Sequence, residues 1–333
     1  MIDRPCAAGR RRNATDDRDT AWLAPGAIGH DSSSRRDLHP HAAGAAAGTV
    51  VPADATIAVS TANADRRVAL PNGLRVYGAT PAVARFQHFI SGYFAHGFEP
   101  RPGMTVFDVG ANIGLFSLEV LHRCAGDAEV FAFEPAPASF GHLERNLHEL
   151  FPSAHVRLRR TALGDRVGDA ILYVRPRTTV TTSLYPEPFV DPDLVDGFLR
   201  DPPPEYRGRY SSGFRRLPRA PVKTALDVLG RWLDAKVVPM PCPITTLAAV
   251  LDAQAITVVD FLKIDVEGAE LDVLRGVGDT NWPKIRRLAI EVHDIDGRVG
   301  TIRTMLADRG FHHIAIEQDW PFQGTLMYTV HAC

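Results

Sequence analysis

The chain has 333 residues, a formal net charge of −2, 45% apolar residues and 23% charged ones. These are the proportions of a globular protein with room for one large domain or two small ones, and they exclude a global electrostatic case for nucleic acid or a membrane surface. No apolar run reaches the roughly 18–20 residues that a membrane helix needs. Cys6, Cys124, Cys242 and Cys333 are scattered, with neither a C-x-x-C nor zinc-finger spacing. That usage fits reduced thiols in the cytoplasm. Arg10-Arg11-Arg12 precede no apolar core, so neither a Sec nor a twin-arginine signal is expected.

Residues 1–64 are rich in Ala, Gly, Asp, Arg, Ser and His without sustained periodicity. Such a segment buries too little apolar surface to offset its ordering entropy and is expected to be a disordered extension. A start codon placed too far upstream is the other account. A folded domain over 65–333 is expected to open near Arg67 with RVALPNGLRVYG, two short strands joined at Pro71-Asn72-Gly73. Val83, Phe86, Phe89, Ile90 and Phe94 then recur at helical spacing over 82–95, closed by Gly97.

After Pro102-Gly103 the first parallel strand is predicted at 105–109. A helix at 115–123, a strand at 129–133 and a helix at 138–149 follow, then strands at 156–161 and 170–174. Beyond them lie a strand at 261–264, a helix at 269–275, a strand at 287–292 and a helix at 300–309. Segments 312–317 and 325–330 make a closing antiparallel pair. The alternation predicts an α/β fold with a doubly wound, mostly parallel sheet.

Residues 186–243 break the rhythm, being Pro- and Arg-rich and too long for an ordinary connection. This insertion is expected to form a lid or substrate subdomain with two helices. One starts at Asp191-Pro192 and carries Leu194, Val195, Phe198 and Leu199. The other carries Val222, Leu226, Leu229 and Leu233 beside Trp232.

The chemistry gathers around VFDVGANIG at 106–114. Gly110 and Gly114 permit a tight turn, and the next helix offers unsatisfied N–H groups. A G-x-G-x-x-G dinucleotide fingerprint would place glycine at 112 and 115, where the chain has Asn112 and Leu115. Asp108 would also repel a pyrophosphate, and suits a ligand carrying ammonium and sulfonium groups. Glu134 ends the next strand in FAFEP, about 20 residues on, where a carboxylate can accept from both ribose hydroxyls.

FLKIDVEGAELDVLRGV at 261–277 carries Lys263, pointing away from its strand neighbours, then Asp265, Glu267 and Glu270. AIEVHD adds Glu291 and His293 on one side of the following strand, with Asp294 beyond. Two adjacent strands thus deliver Asp265, Glu267, Glu291 and His293 to the edge that holds the glycine loop. Like charges converging there cost stability unless they bind something.

VFDVGANIG, FAFEP, TALGD at 161–165, TTSLY at 181–185 and FLKIDVEGAE together resemble the FkbM family of S-adenosylmethionine-dependent O-methyltransferases. The order and spacing match over roughly 68–330, apart from the insertion. The resemblance implies a Rossmann-like class I methyltransferase sheet and methylation of a hydroxyl on a polyketide, sugar or other secondary metabolite. It assigns Asp108, Gly110, Asn112 and Gly114 to the methionyl part of the cofactor. It assigns Glu134 to the ribose, and Ala162, Leu163 and Asp165 to the adenine side. The insertion departs from the family's short link and leaves the substrate open.

Methyl transfer to an alcohol calls for alignment and for a base near the hydroxyl proton. His293 is the first candidate, followed by Asp265 and Glu267. A divalent metal on Asp265, Glu267 and Glu291 is the alternative. Arg207, Arg209, Arg215, Arg216, Arg219 and Lys223 lie among Tyr206, Tyr210 and Phe214. They form either a solvated basic loop or a docking face for an acidic carrier protein or a phosphate-bearing substrate. No nucleic-acid-binding motif accompanies them. A nicotinamide-dependent oxidoreductase would use the same loop and Glu134, against the glycine register and Asp108. A non-catalytic cofactor-binding protein is the third class, open while the base is unassigned.

Overall fold

A computed structural model describes residues 66–78, 90–176, 181–186, 219–320 and 322–333. The extension at 1–64, the start of the 82–95 helix and the helix expected from Asp191 lie outside these residues. So do Arg207, Arg209, Arg215, Arg216, Tyr206, Tyr210 and Phe214.

RVALPNGLRVYG folds as the expected hairpin, β1 (Val68–Ala69) against β2 (Arg75–Val76), with Gly73 at φ 89° in the turn. A short 3-10 turn, Gly92–Phe94, follows. Next come β3 (Met104–Val109), α1 (Leu115–Arg123), β4 (Ala128–Phe133), α2 (Pro137–Leu150) and β5 (His155–Arg159). Pro137 opens α2, where its missing N–H costs nothing, and Leu143 and Leu147 bury one helical stripe. β6 (Ala162–Leu163), β7 (Gly168–Val174), α3 (Arg219–Asp234), β8 (Val238–Thr245) and α4 (Leu247–Ala253) continue the chain. The last part is β9 (Phe261–Ile264), α5 (Glu270–Arg275), β10 (Leu288–His293), α6 (Arg298–Asp308), β11 (Ile314–Glu317) and β12 (Met327–Ala332).

Seven strands form one sheet in the order β11-β12-β10-β9-β3-β4-β5. β12 runs antiparallel between β10 and β11, and the remaining pairs are parallel. The expected closing pair is therefore present, with β12 inserted against the parallel body. Both faces of the sheet are covered. Val106, Val130, Phe261 and Ala289 pack with Phe116, Leu121, Leu143 and Leu147 from α1 and α2. On the other face Phe107, Phe131 and Phe133 are buried, with the Phe107 and Phe131 rings stacked at 4.6 Å. Such a ring pair adds about 0.5–1.5 kcal/mol beyond its buried area.

A second sheet, β6-β8-β7, stands beside the first and buries Leu172, Met240 and Ile244. Its middle strand is VPMPCPIT, most of which was expected to belong to the helical insertion at 186–243. α4 also went unanticipated; Thr246 caps it, accepting from Ala249 N–H at 3.1 Å. Of the helical insertion, α3 is described, with Val222 buried and Trp232 54% exposed. Among the described residues no helix is long and apolar enough to cross a membrane.

Candidate active site

Loops meet at the C-terminal edge of the parallel strands. The β3 loop turns through Gly110 at φ 77°, Asn112 at 49° and Gly114 at 92°. The Gly110 and Ala111 N–H groups both donate to Phe133 O at 3.0 Å, folding the turn back over β4. A Cβ on Gly110 would stand 1.7 Å from the carbonyl oxygen of Asp265. Glycine is thus what lets this loop cross the end of β9.

Glu134, just past β4, braces that loop. Its Oε2 accepts from Asn112 N–H and its Oε1 from Ala136 N–H, each at 2.8 Å. Burial pushes the carboxyl up to about 7, against the pull of these bonds and of Lys263. Asn112 Oδ1 is buried with no hydrogen-bond partner among the described residues.

A cleft opens here, with about 690 Å³ of space once its open mouth is included. The β3 loop contributes Val109, Gly110 and Asn112, and the end of β4 contributes Phe133, Glu134 and Pro135. Thr161, Ala162, Leu163 and Leu172 continue the lining. Thr182, Ser183 and Leu184 face in with Asp265, Val266, Glu267 and Ala269.

Next to the cleft the apolar sheet face turns charged. Asp108 and Lys263 are register neighbours on β3 and β9, so their side chains emerge together. Lys263 Nζ lies 3.1 Å from Asp108 Oδ1 and 3.5 Å from Asp265 Oδ2, and donates to Gly110 O at 2.8 Å. Burial alone would lower the lysine pKa, but Asp108 and Asp265 outweigh it and raise it. Ser117 Oγ donates to Asp108 Oδ2 at 2.7 Å.

The Tyr93 hydroxyl, from the 3-10 turn, lies 3.3 Å from Asp265 Oδ2 and 3.4 Å from Glu291 Oε2. Burial, then these two carboxylates, push its pKa well up, so it remains a donor. Burial, then Asp265, lifts Glu291 to about 7. Beyond it, both ring nitrogens of His293 face carboxylates: Nδ1 is 3.0 Å from Glu270 Oε1 and Nε2 is 3.4 Å from Glu267 Oε2. Burial alone would lower the imidazole pKa; the Glu270 bond and the charges of Glu267, Glu270 and Glu291 raise it to about 9. Burial likewise lifts Glu267 well above the carboxylate range. Glu270 also accepts from Arg298 Nη1 at 2.8 Å and from Gly268 N–H at 2.7 Å. Burial would raise its pKa, but the His293 bond and charge outweigh it and the net shift is downward. Glu267, Glu291 and His293 bring one ligand atom each within 4.8 Å of one another.

The sequence profile of the Methyltransferase FkbM domain matches residues 108–312. The 31-O-demethyl-FK506 methyltransferase FkbM of Streptomyces tacrolimicus is 33% identical over 267 residues, 79% of this chain and 95% of that protein. The chain belongs to the FkbM methyltransferase family. Methyltransferase 1 of Beauveria bassiana is 30% identical over 230 residues, 67% of this chain and 78% of that protein. The AMB antimetabolite synthetase AmbE of Pseudomonas aeruginosa is 30% identical over 276 residues, 80% of this chain but 12% of the synthetase. S-adenosylmethionine is the cofactor that an FkbM methyltransferase domain implies.

In this FkbM domain Gly110, Asn112, Glu134, Ala162, Leu163, Asp265 and Glu267 come together in the cleft lining. Asp108 and Gly114 do not line it: Asp108 is fully buried under the loop, and Gly114 caps α1 in a left-handed conformation. Asp165 also stands outside the lining, with its carboxylate 3.3 Å from Arg166 and its side chain 42% exposed. His293 and Glu291 back onto Glu267 instead of facing the cleft. Sequence reasoning missed Tyr93 and Arg298, and assigned Glu270 no role. The TTSLY segment carried no assigned role in the sequence. In the fold Ser183 of that motif lines the cleft and donates from Oγ to the Glu267 carbonyl at 2.6 Å.

Proposed function

We propose that this FkbM-family methyltransferase transfers the methyl group of S-adenosylmethionine to a hydroxyl of a small secondary metabolite. One observation carries the reading: a single cleft is lined by Glu134 and the glycine loop and, on the same surface, by Asp265 and Glu267. The residues fit the cofactor. Asn112 Oδ1 is an unused buried acceptor, suited to an ammonium group. Glu134 spends one acceptor site of each oxygen on backbone N–H groups, leaving others for ribose hydroxyls. When bound, the cofactor supplies an electrophilic methyl group on sulfur with a neutral thioether as leaving group.

The remaining work falls to the chain. In its ionised form Glu267, the cleft-lining carboxylate beside His293, receives the hydroxyl proton as the acceptor oxygen is methylated, its raised pKa making it the stronger acceptor. His293 was the first candidate for base, but both its ring nitrogens are engaged and it lies behind Glu267. Its place is to hold Glu267 and balance its charge, itself oriented by Glu270. Tyr93 bridges Asp265 and Glu291.

The name of the Streptomyces relative, a methyltransferase of 31-O-demethyl-FK506, supports an oxygen acceptor on a secondary metabolite. An acidic carrier protein is the proposed partner, and the match to part of an antimetabolite synthetase supports a place in the making of such a metabolite. The basic insertion, of which Arg219 and Lys223 open α3, is the proposed docking face. A divalent metal on Glu267, Glu291 and His293 is the second reading, favoured by their mutual reach of 4.8 Å.

Calorimetry with S-adenosylhomocysteine and NAD, followed by transfer of labelled methyl groups to hydroxylated metabolites, tests the reading. Binding of the homocysteine compound and an O-methylated product are expected. Tight NAD binding with no affinity for the sulfur compound overturns it. Activity that chelator abolishes and a divalent cation restores, in His96→Asn as in the wild type, favours the metal on Glu267, Glu291 and His293, which would lower the pKa of the acceptor hydroxyl.

A further inference from the structure

A second cluster of ligating side chains stands away from the cleft. His96 follows the 3-10 turn that carries Tyr93, and its Nε2 lies 3.0 Å from Glu317 Oε1 at the end of β11. Its ring centroid is also 4.9 Å from that of His331, near the end of β12. One ligand atom from each of the three residues lies within 4.8 Å of the other two.

The sheet puts them there. β11 pairs with β12 so that Ala315 faces His331 and Glu317 faces Thr329. Glu317 and His331 therefore stand on one face, diagonally adjacent, and His96 comes down on them from outside the sheet. His331 is buried, while the side chains of His96 and Glu317 are 40% and 48% exposed, so the cluster is anchored below and open to solvent above.

An ion pair accounts for His96 with Glu317. His331 adds a second imidazole against the first, so the three side chains offer one ligand atom each to a common point. Two imidazoles and a carboxylate, converging from a turn and two strands, are a ligand set for a first-row divalent cation.

We propose that His96, Glu317 and His331 form a zinc-class metal site that clamps the Tyr93-bearing turn to β11 and β12. Two nitrogens and one oxygen suit Zn²⁺, and the exposed side leaves a coordination position for water. The site is separate from the acids of the cleft. On β10, Ala289 faces His331 whereas His293 faces Met327, four residues along, or about 13 Å at strand rise. Closing the clamp would hold Tyr93, three residues before His96, over Asp265 and Glu291.

The full chain, stripped with chelator and dialysed, is titrated with ZnCl₂ by calorimetry alongside His96→Asn, Glu317→Gln and Glu291→Gln. Asparagine keeps the left-handed backbone that His96 adopts at φ 54°. One site of about micromolar affinity or better is expected in the wild type. It weakens at least about tenfold in His96→Asn and Glu317→Gln and persists in Glu291→Gln. Zinc is also expected to raise the melting temperature of the wild type and not of Glu317→Gln, whose melt in chelator matches that of the wild type. Cobalt titration of the wild type gives visible d–d bands that Glu317→Gln lacks. No zinc site in the wild type overturns the proposal, as does one that survives His96→Asn and Glu317→Gln or vanishes in Glu291→Gln alone.

Discussion

Lys263 donates from Nζ to the carbonyl of Gly110 at 2.8 Å, so a cation on β9 props the loop that follows β3. The same ammonium balances Asp108, whose side chain is wholly buried. Lys263→Met keeps much of the volume and removes the charge. It leaves Asp108 buried and uncompensated, a loss of about 3–5 kcal/mol. Denaturant titration measures it, and a change below about 1 kcal/mol would contradict this role.

Gly110 allows no side chain. Gly110→Ala places a Cβ on the Asp265 carbonyl and asks alanine to adopt a positive φ. A stability loss of about 2–4 kcal/mol is expected, together with loss of S-adenosylhomocysteine binding. Calorimetry and a melt on one sample read both. Wild-type affinity in Gly110→Ala would show that the loop does not shape the cleft.

Tyr93→Phe deletes only the hydroxyl between Asp265 and Glu291. Stability is expected to change by about 1 kcal/mol or less, because the ring stays edge-on to Phe116 at 5.7 Å. Turnover is expected to fall roughly 10–100-fold with cofactor affinity retained. An unchanged kcat would leave Tyr93 as packing alone.

Glu134 makes stability depend on pH. Its folded pKa of about 7 stands above the ordinary 4.5 because burial disfavours the anion. The folded state therefore holds this proton more tightly than the unfolded chain. The contribution is complete below pH 4.5 and is lost as pH rises through about 7. The unfolding midpoint, followed in chelator, falls over that window, and Glu134→Gln flattens the fall. Affinity for S-adenosylhomocysteine rises over the same window, since the ionised carboxylate is the better acceptor for ribose. Parallel profiles for wild type and Glu134→Gln would refute the assignment.

Much of the parallel sheet was legible because its strands are buried on both faces and read as apolar runs. FLKI is the clearest case, and Lys263 could be oriented from its alternation alone. The acids at the strand ends followed from the same alternation. What stayed hidden depends on contacts across the chain. Tyr93 lies off the apolar spacing of its segment, and nothing local ties it to Asp265, 172 residues on. Arg298 meets Glu270 only because α6 returns to the edge of β10. His293 was read as a base from its ordinary pKa, whereas its neighbours on two sides are carboxylates. β8 was missed because proline at 239, 241 and 243 argues against a strand.

Those prolines have a consequence for the molecule in company. In β8 the residues 239, 241 and 243 share one edge, the edge on which the Pro243 and Thr245 carbonyls meet Thr161 Oγ1 and Gly164 N–H. Met240, Cys242 and Ile244 keep their amides for the other edge, toward β7. β6 covers the proline edge only at its end, opposite Ile244 and Thr245. Along the rest, the backbone can accept but cannot donate, so a strand from another molecule finds half a ladder there. The sheet beside the cleft is thereby finished on that side, and crowding of many copies finds no template on it.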